Sequence, residues 1–402
     1  RTRDLFSSYQ ARRGFEVRRA MKLYYQTGWE TAAVHFCPHG DSGVWRTEPC
    51  KDVPGSSGWK VVDLPEATTG AEFVVRNGEG TQWDNPPPEV GGQNYKTPVG
   101  AAAGYTLRWG RLFRLSDREP VMIVSDLDHT MVGHEHDGDN GRLRDFQANW
   151  LGRFRFSGSK LVYSTGRNKA DALSVARERD LLRPDLLICG VGTEVYEVPE
   201  DLPMDGSWSQ SPERITLNEE WTRKMEGTFK RDEVEALLLA KFPKFEPRGS
   251  FASDPYRIPS AYEVDENMEE NFRLVREAVG PDVEVITSGG NEWKLVDFCS
   301  AQAGKMKACE FAIKRFGIPP ERTLVCGDSG NDESMYRCPG VRGVAVGNSL
   351  PELVAALKNM AEPNGEAVIQ GSVFSTKSGS QVLYANQPVA SAIVEALDRF
   401  FG

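Results

Sequence analysis

Residues 121–130 read VMIVSDLDHT, and this stretch decides the fold of most of the chain. An apolar run typical of a buried strand ends in two acidic residues, Asp126 and Asp128. Residues two apart on an extended backbone point to the same side, so both carboxylates are aimed together. The stretch therefore predicts a buried strand that carries acidic side chains at its carboxyl end.

Two further segments repeat this arrangement of an apolar run followed by polar side chains. They are LVYSTGR at residues 161–167 and LVCGDSGND at residues 324–332, and a helix is predicted to begin near the lysine of AGK at 303–305. The polar positions that these segments supply are Thr165, Gly166, Lys305, Asp328, Ser329, Asn331 and Asp332. Because the carboxyl ends of parallel strands meet at one edge of a sheet, we expect these groups to lie close together.

Compact apolar strands alternate with helical stretches from residue 120 onward. Strands are predicted over 121–125, 161–164, 186–189 and 324–326, and helices over 168–180 and 304–316. Alternation of this kind is typical of an α/β fold, in which helices cover both faces of a parallel sheet.

Hydrolysis of a phosphate ester requires the groups that these strand ends provide. One carboxylate can act as a nucleophile, and a second carboxylic acid can protonate the leaving alkoxide and then deprotonate water. A lysine and Mg²⁺, an ion that prefers oxygen ligands, would balance the charge of the phosphoryl group. Asp and Gly at strand ends are also common turn residues. Their occurrence in all four segments together favours a phosphatase site.

The motifs DLDHT at 126–130, STGR at 164–167, Gly304–Lys305 and GDSGND at 327–332 resemble those of haloacid-dehalogenase-type phosphatases. Together with VGTE at 191–194 and SGG at 288–290, they are most similar to the sucrose-phosphate phosphatase family. The resemblance implies a Rossmann-like α/β core with Asp126 as nucleophile and Asp128 as general acid and base. It implies that Thr165 and Lys305 hold the phosphoryl group, with Gly166, Ser329 and Asn331 as phosphate or loop support. It also implies Mg²⁺ at Asp126, Asp328 and the Asp128 carbonyl, with Asp332 on a metal-bound water.

The same resemblance implies that an α+β cap domain interrupts the phosphatase core. We expect the core at residues 119–200 and 288–402 and the cap at 201–287. One departure from the family lies in the segment at 292–297, EWKLVD, where plant relatives carry an acidic residue in place of Lys294. The chemistry is thus predicted more firmly than the sugar that is recognised.

The residues before 112 differ in composition from the rest of the chain and are rich in Gly, Pro and Trp. Short strands are predicted over 32–37, 59–64 and 71–76, which indicates an all-β unit after a leader segment at 1–20. Residues 21–112 resemble the β-sandwich starch-binding modules of amylases and starch synthases. That resemblance places glucan-binding residues at His35, Trp45 and Trp83, because sugar rings stack on exposed aromatic side chains. Trp29 and Trp59 are predicted to be core residues instead.

The net charge of −10 argues against nucleic-acid binding, which depends on clustered Lys and Arg. No apolar run approaches the ~20 residues of a membrane-spanning helix, so no span is expected. The seven cysteines include no Cys-x-x-Cys pair, which predicts free thiols. His134 and His136 are interpreted as a solvated loop rather than as metal ligands.

Three functions are compatible with these patterns. The first is a Mg²⁺-dependent phosphatase, tethered to starch, that converts sucrose 6-phosphate to sucrose and phosphate. The second is a catalytically weak scaffold subunit of a larger protein assembly that retains the phosphatase fold and the glucan-binding module. The third is a phosphatase for another sugar phosphate or a phosphoglucan. Starch and sucrose chemistry together indicate an alga, with the plastid stroma as the expected location and the cytosol as the alternative.

Overall fold

The computed structural model describes residues 20–41, 43–67, 69–90, 92–100, 104–116, 119–133, 141–227, 229–248 and 254–402. The described residues form two compact units, with the boundary in the sequence near residue 117; residues 54–56 group with the second unit. The predicted leader segment at 1–20 lies outside the described residues except for its last position, as do His134 and His136.

The first unit is built from strands in two sheets. The strands are β1 (Met21–Gln26), β2 (Ala32–Pro38), β3 (Arg46–Pro49), β4 (Lys51–Asp52), β5 (Trp59–Leu64), β6 (Ala71–Asn77), β7 (Trp83–Asp84), β8 (Tyr95–Lys96), β9 (Gly104–Arg108) and β10 (Arg111–Arg114). One sheet has the order β10-β9-β1-β5-β4, and the other has the order β3-β2-β6-β7 with β8 also on β6. Apolar side chains of both sheets share one hydrophobic cluster, as in a sandwich.

The tryptophans predicted to be core residues of this unit are buried to different degrees. Trp59 is 1% exposed, and Trp29 is partly buried against the hydrophobic cluster. All three strands predicted from the sequence lie within β2, β5 and β6. The alternation of apolar residues thus located the strands because one face of each sheet is buried.

The second unit contains a ten-stranded sheet in the order β15-β14-β13-β12-β11-β20-β21-β24-β23-β22. Its strands are β11 (Met122–Ser125), β12 (Lys160–Ser164), β13 (Leu186–Cys189), β14 (Glu194–Glu197), β15 (Thr216–Leu217), β20 (Thr323–Gly327), β21 (Arg342–Ala345), β22 (Ala361–Glu362), β23 (Val373–Thr376) and β24 (Gln381–Tyr384). The six central strands from β13 to β24 are parallel, and antiparallel pairs flank them. All four residues of β11 are buried, as expected for a central strand covered on both faces.

The helices associated with this core are α1 (Gly141–Asn149), α2 (Lys169–Glu178), α3 (Glu219–Met225), α6 (Lys305–Phe316), α7 (Pro351–Met360) and α8 (Val389–Phe401). The two helices predicted at 168–180 and 304–316 correspond to α2 and α6. The Asn168 side chain accepts a hydrogen bond from the Asp171 N–H and so caps α2. Gly192 has a φ of +96°, and a Cβ there would lie 2.6 Å from the Gly304 backbone. This close approach packs the VGT loop against the start of α6.

A smaller sheet with two helices forms the cap. Its strands are β16 (Glu246–Pro247), β17 (Arg257–Glu263), β18 (Val283–Ser288) and β19 (Trp293–Ser300), in the order β16-β17-β19-β18, and its helices are α4 (Arg231–Lys241) and α5 (Met268–Val279). All three strand pairings are antiparallel.

The cap boundaries differ from the predicted range of 201–287. Thr216–Leu217 pairs with β14 in the core sheet, and Trp221 of α3 is buried in the core's hydrophobic cluster. At the other end, the Gly-rich segment after Ser288 is the turn of the β18–β19 hairpin, so the cap sheet continues to Ser300. The predicted range came from the family resemblance alone, and a glycine pair marks a reversal of the chain without showing which sheet follows.

Two further sequence predictions concern features of the whole chain. Within the part of the chain that the structure describes, no helix is long and apolar enough to cross a membrane. All seven cysteines are free thiols, five of them buried, as the sequence predicts.

Candidate active site

Three neighbouring parallel strands bring the predicted catalytic groups to one edge of the core sheet. Strand β11 lies between β12 and β20, and Ser125 is in register with both Tyr163 and Cys326. The Asp126 N–H donates to the Cys326 carbonyl at 3.0 Å, which continues the pairing by one residue. Asp126, Thr165 and Asp328 therefore follow the ends of adjacent strands, as predicted.

Lys305 lies at the centre of the acidic groups. Its Nζ atom is 2.7 Å from Asp126 Oδ1 and 2.6 Å from Asp332 Oδ1. Lys305 and Asp332 are fully buried, and Asp126 is 5% exposed. The first turn of α6 thus delivers one cation between two carboxylates that come from different strand ends.

The backbone of the loop after β20 holds Asp332 in place. Asp332 Oδ2 accepts from the N–H groups of Asp328 and Ser329 at 3.0 and 3.2 Å. A Cβ on Gly327 would lie 2.4 Å from the Asp332 side chain, so only glycine fits at this position. Thr130 Oγ1 donates to Asp328 Oδ1 at 3.2 Å. The DLDHT motif therefore also supports the carboxylate of the third strand end, a role that the sequence did not reveal.

Burial and mutual repulsion change the ionisation of these carboxyl groups. Burial raises the pKa of Asp328 to about 9, and the charge of the nearby Asp332 is the second cause of this shift. Burial also raises the pKa of Asp126 to about 7, even though Lys305 opposes the shift. Although burial alone would lower the pKa of Lys305, Asp126 and Asp332 raise it above its usual value. When ionised, these three carboxylates beside one ammonium group would leave an excess of negative charge that another cation would neutralise.

The residues present fit a divalent cation of the Mg²⁺ type. Oxygen atoms of Asp126, Asp328 and Asp332 lie within 4.8 Å of one another, and such hard oxygens are the ligands that Mg²⁺ prefers. Both oxygens of Asp332 already have protein partners, whereas Lys305 contacts only one oxygen of Asp126 in this cluster. Asp126 and Asp328 are therefore the residues that would hold such a cation, and the metal roles that the sequence resemblance implies remain a prediction.

Asp128 forms an ion pair with Arg167 that leaves both residues partly exposed. Arg167 Nε and Nη2 donate to the two carboxylate oxygens of Asp128 at 2.7 and 2.8 Å. For Arg167, the last residue of the STGR motif, the sequence alone predicts either pairing with a carboxylate or contact with the substrate phosphate, without deciding between them. In this structure Arg167 pairs with a carboxylate, the one expected to move protons.

The remaining predicted residues form the loops around this cluster. The Arg167 N–H donates to Thr165 Oγ1 at 3.1 Å, and Ser329 Oγ donates to Asn331 Oδ1 at 3.4 Å. Thr165 is fully buried, whereas Gly166, Ser329 and Asn331 line a cleft of about 480 Å³ together with Asp126, Asp128 and Asp328. Six of the predicted core residues therefore line one cleft, and Thr165, Lys305 and Asp332 are buried.

The cap contributes residues that sequence reasoning missed. Arg257 of β17 is 2% exposed and donates to the Gly166 carbonyl at 2.7 Å, to Asp297 at 3.3 Å and to Asp254 at 2.9 Å. A cap residue thus fixes the loop after β12. An arginine is an unusual residue in an apolar strand sequence such as RIPSAY, and this was the sequence signal that could have identified Arg257.

Lys294, at the position where the sequence resemblance implies an acidic residue, connects the cap with the core. Its ammonium group lies 2.8 Å from Glu352 Oε2 on α7. Glu352 Oε1 accepts from the N–H groups of Gly289 in the cap hairpin and Gly330 in the loop after β20. Lys294 thus takes part in a contact between cap and core in this structure.

The three predicted glucan-binding residues of the first unit also lie together. The His35 ring stacks on Trp45 with a centroid distance of 5.0 Å and an interplanar angle of 21°. The Trp83 ring lies edge-on to His35 at 5.9 Å. Trp45 is 36% exposed and Trp83 is 49% exposed. This aromatic trio presents two indole rings to solvent.

The family model for sucrose-6F-phosphate phosphohydrolase matches residues 119–401. Sucrose-phosphatase 1 of Nicotiana tabacum is 32% identical over 292 residues, which cover 71% of this chain and 60% of that protein. Mannosylfructose-phosphate phosphatase of Agrobacterium fabrum is 26% identical over 243 residues, covering 59% of this chain and 87% of that protein. The chain thus spans about 60% of the length of the tobacco relative.

A solved structure shows the same similarity in three dimensions. The sucrose-phosphatase from Synechocystis sp. PCC6803, in complex with sucrose and phosphate, aligns with a TM-score of 0.55 at 26% identity. The alignment covers 70% of this chain and 98% of that chain. It confirms the haloacid-dehalogenase-type α/β core that the sequence predicts.

Proposed function

The chain belongs to the sucrose-6F-phosphate phosphohydrolase family, and on this basis we propose that it hydrolyses a sugar phosphate monoester, with sucrose 6-phosphate as the expected substrate. The observation that carries this proposal is the buried contact of Lys305 with Asp126 and Asp332 beside Asp328. A structural ion pair would not need the further carboxylate of Asp328 at the same place, because each added buried charge costs stability. The arrangement suits the binding of a negatively charged phosphoryl group together with a metal ion.

For each step of the proposed reaction, a side chain at this site can supply the group that the step requires. The Asp126 carboxylate attacks phosphorus while the bond to the sugar oxygen breaks, and protonated Asp128 gives its proton to that oxygen. Water then attacks the phosphoryl group on Asp126, and Asp128 takes up the proton that the water loses. Lys305 remains beside Asp126 and stabilises negative charge on the transferring phosphoryl oxygens. Mg²⁺, held by Asp126 and Asp328, would neutralise further charge when bound.

Arg167 has a defined part in this scheme. Asp128 must carry a proton when the sugar leaves, yet in the structure it is engaged by a guanidinium on both oxygens. Substrate binding therefore has to separate the pair, and the phosphate is the anion that replaces Asp128 as the partner of Arg167. Both alternatives for Arg167 would then describe successive states of one residue.

A panel of phosphate esters tests the proposal. Phosphate release is measured with sucrose 6-phosphate, mannosylfructose phosphate, glucose 6-phosphate and p-nitrophenyl phosphate, with Mg²⁺ and with EDTA. We expect Mg²⁺-dependent release that is fastest with a disaccharide phosphate. If a folded, Mg²⁺-loaded protein releases phosphate from none of these esters, the scaffold function replaces the enzymatic one.

We also propose that the first unit binds an α-glucan such as starch through the aromatic trio of His35, Trp45 and Trp83. Sugar rings have apolar faces that stack on exposed indoles, and two exposed indoles around one histidine provide such a surface. Co-sedimentation of the full chain with granular starch tests this proposal. A chain that stays in the supernatant at every starch concentration would contradict it. The plastid location remains a prediction that rests on this pairing of activities.

A further inference from the structure

The carboxylate of Glu352, on helix α7, receives hydrogen bonds from the cap and from the core at the same time. The N–H groups of Gly289, in the β18–β19 hairpin of the cap, and Gly330, in the loop after β20, both donate to Oε1, at 3.1 and 2.9 Å. The ammonium group of Lys294 donates to Oε2 at 2.8 Å. Donors from two different parts of the protein thus share one side chain.

This contact is partly shielded from water and is closely packed. The side chains of Lys294 and Glu352 are 19% and 24% exposed, so salt and solvent screen their hydrogen-bonded ion pair only in part. A Cβ on Gly330 would lie 2.8 Å from the carbonyl oxygen of Thr287 in cap strand β18. The loop and the cap strand therefore meet backbone to backbone beside the carboxylate, and a shift of one disturbs the other.

A cleft lies on each side of this contact. The active-site cleft is lined by Gly289 of the hairpin, and a second cleft of about 390 Å³ is lined by Thr287, Gly330 and Glu352. Asn331 lines both clefts. At this place the cap and the core are thus joined by a narrow bridge, and a single side chain can decide how tightly they are held together.

The core side of the bridge is the loop that carries part of the acidic cluster. The consecutive N–H groups of residues 328–329 donate to Asp332, so the loop is folded around that carboxylate. Glu352 fixes the next N–H group of the same loop, that of Gly330. The position of Glu352 therefore affects the loop whose carboxylates, Asp328 and Asp332, belong to the cation cluster.

We propose that Glu352 is a positioning residue that couples the cap to the metal-binding loop. Its Oε1 atom holds one N–H group of each, so an order imposed on the loop is passed to the cap hairpin and the reverse. Occupation of the acidic cluster by Mg²⁺ and the cap position of this structure therefore favour each other by the same factor. Lys294 balances the charge of Glu352 and keeps it in place. The coupling rests on the proposed function for the identity of its metal ion.

Amide hydrogen exchange of the full chain, followed by mass spectrometry with and without Mg²⁺, tests the coupling. Mg²⁺ is expected to slow exchange in the hairpin at 286–295 by at least about fivefold, the lower end of common coupling, although the acidic cluster belongs to the core. Glu352→Ala should abolish this response. The matched control is Glu395→Ala, because Glu395 of α8 accepts from the N–H groups of Asn386 and Gln387, which lie in the core.

Two further variants separate the parts of the contact. The double variant Glu352→Gln with Lys294→Met should retain most of the Mg²⁺ response, because glutamine keeps an oxygen acceptor for both N–H groups. Lys294→Met alone leaves a partly buried carboxylate without its cation. It should therefore speed exchange in the loop at 327–334 of the metal-free protein, although Lys294 lies in the cap. The control is Lys244→Met, since the partner of Lys244, Asp265, lies in the cap itself.

Three results would overturn the inference. The first is hairpin exchange that does not respond while calorimetry shows bound Mg²⁺, and the second is an equal response in Glu352→Ala and the unaltered protein. The third is an effect of Lys294→Met that is confined to the hairpin. This last comparison needs neither metal nor turnover, so it tests the coupling even where the proposed hydrolysis fails. If Glu352→Ala does not fold, a lost response in Lys294→Met that the double variant restores supports the coupling, and equal responses contradict it.

Discussion

The guanidinium of Arg167 binds the carboxylate of Asp128 at two points, with N–O distances of 2.7 and 2.8 Å. This geometry orients the residue that is expected to carry protons, and it does so from the neighbouring strand end. Both side chains are more than a third exposed, so the pair contributes little to stability. The pair orients Asp128 in this structure, and under the proposed mechanism Arg167 contacts the substrate phosphate once the pair separates.

Arg167→Lys is therefore expected to impair catalysis without destabilising the protein. A lysine retains the charge but cannot contact the Asp128 carboxylate, or later the substrate phosphate, at two points. The kcat for sucrose 6-phosphate should therefore fall by about 10- to 100-fold. Initial rates and thermal unfolding check this. The control is Arg214→Lys, which changes another Arg–Asp pair, outside the cleft, in which Arg214 Nη2 donates to both oxygens of Asp201. A similar loss of rate in both variants would contradict a specific role for Arg167.

Asp126→Asn should abolish turnover and leave the fold intact. The amide cannot attack phosphorus, so Mg²⁺-dependent phosphate release is expected to fall by several orders of magnitude. In the absence of metal the melting temperature should stay the same or rise, because the substitution removes one of the mutually repelling buried carboxylates. Rates and calorimetry on the same preparation check both outcomes. Substantial turnover by a folded variant would overturn the assignment of the nucleophile.

Stability should depend on pH and on Mg²⁺ in a linked manner. The pKa values of Asp126 and Asp328 are raised to about 7 and about 9, so the metal-free fold holds protons that the unfolded chain releases near pH 4. The stability of the metal-free protein should therefore fall as the pH rises from about 4 to about 9. Mg²⁺ binds the ionised carboxylates, so its stabilising effect should be larger at pH 8 than at pH 6.

Thermal unfolding in EDTA and in Mg²⁺ at these two pH values checks this linkage. The variant Asp328→Asn serves as the control, because it removes the group with the higher of the two pKa values and should reduce the difference between pH 6 and pH 8. A Mg²⁺ effect of equal size at both pH values would contradict the placement of the metal among these carboxylates.

Glucan binding should depend on stacking and survive high salt. Trp45→Ala and Trp83→Ala are each expected to weaken co-sedimentation with starch by about 1–3 kcal/mol, the scale of burying a large side chain. His35→Ala should cost about 1 kcal/mol. Binding should persist in ~1 M NaCl, because stacking does not depend on ion pairs that salt screens.

The control for these variants is Trp109→Ala in the same unit. Trp109 is 65% exposed, but it lies on the turn between β9 and β10 and belongs to no part of the aromatic trio. An equal loss of starch binding in this variant would show that the effect of removing an exposed indole is not specific to the aromatic trio. Phosphate release from soluble sucrose 6-phosphate should be the same in all of these variants.

The sequence by itself determined the elements of the core and which polar side chains meet at its edge. The run VMIVS before Asp126 predicted a buried strand, and Asp126, Lys305 and Asp332 do meet in one cluster. Such features are predictable because they depend on local patterns, namely an apolar run, the polar residues that end it and the common edge of parallel strands. The two sheets of the first unit follow from the same kind of pattern.

Only the tertiary structure decided which partner each polar group has. Arg167 reaches Asp128 across 39 residues of sequence, Lys294 reaches Glu352 across 58, and Arg257 reaches Gly166 across 91. It also assigned the segment after Ser288 to the cap sheet and set Leu295 and Asp297 on the face of the cleft. These contacts arise when separate elements pack together, and no periodicity within one element specifies which side chain of another element it will face.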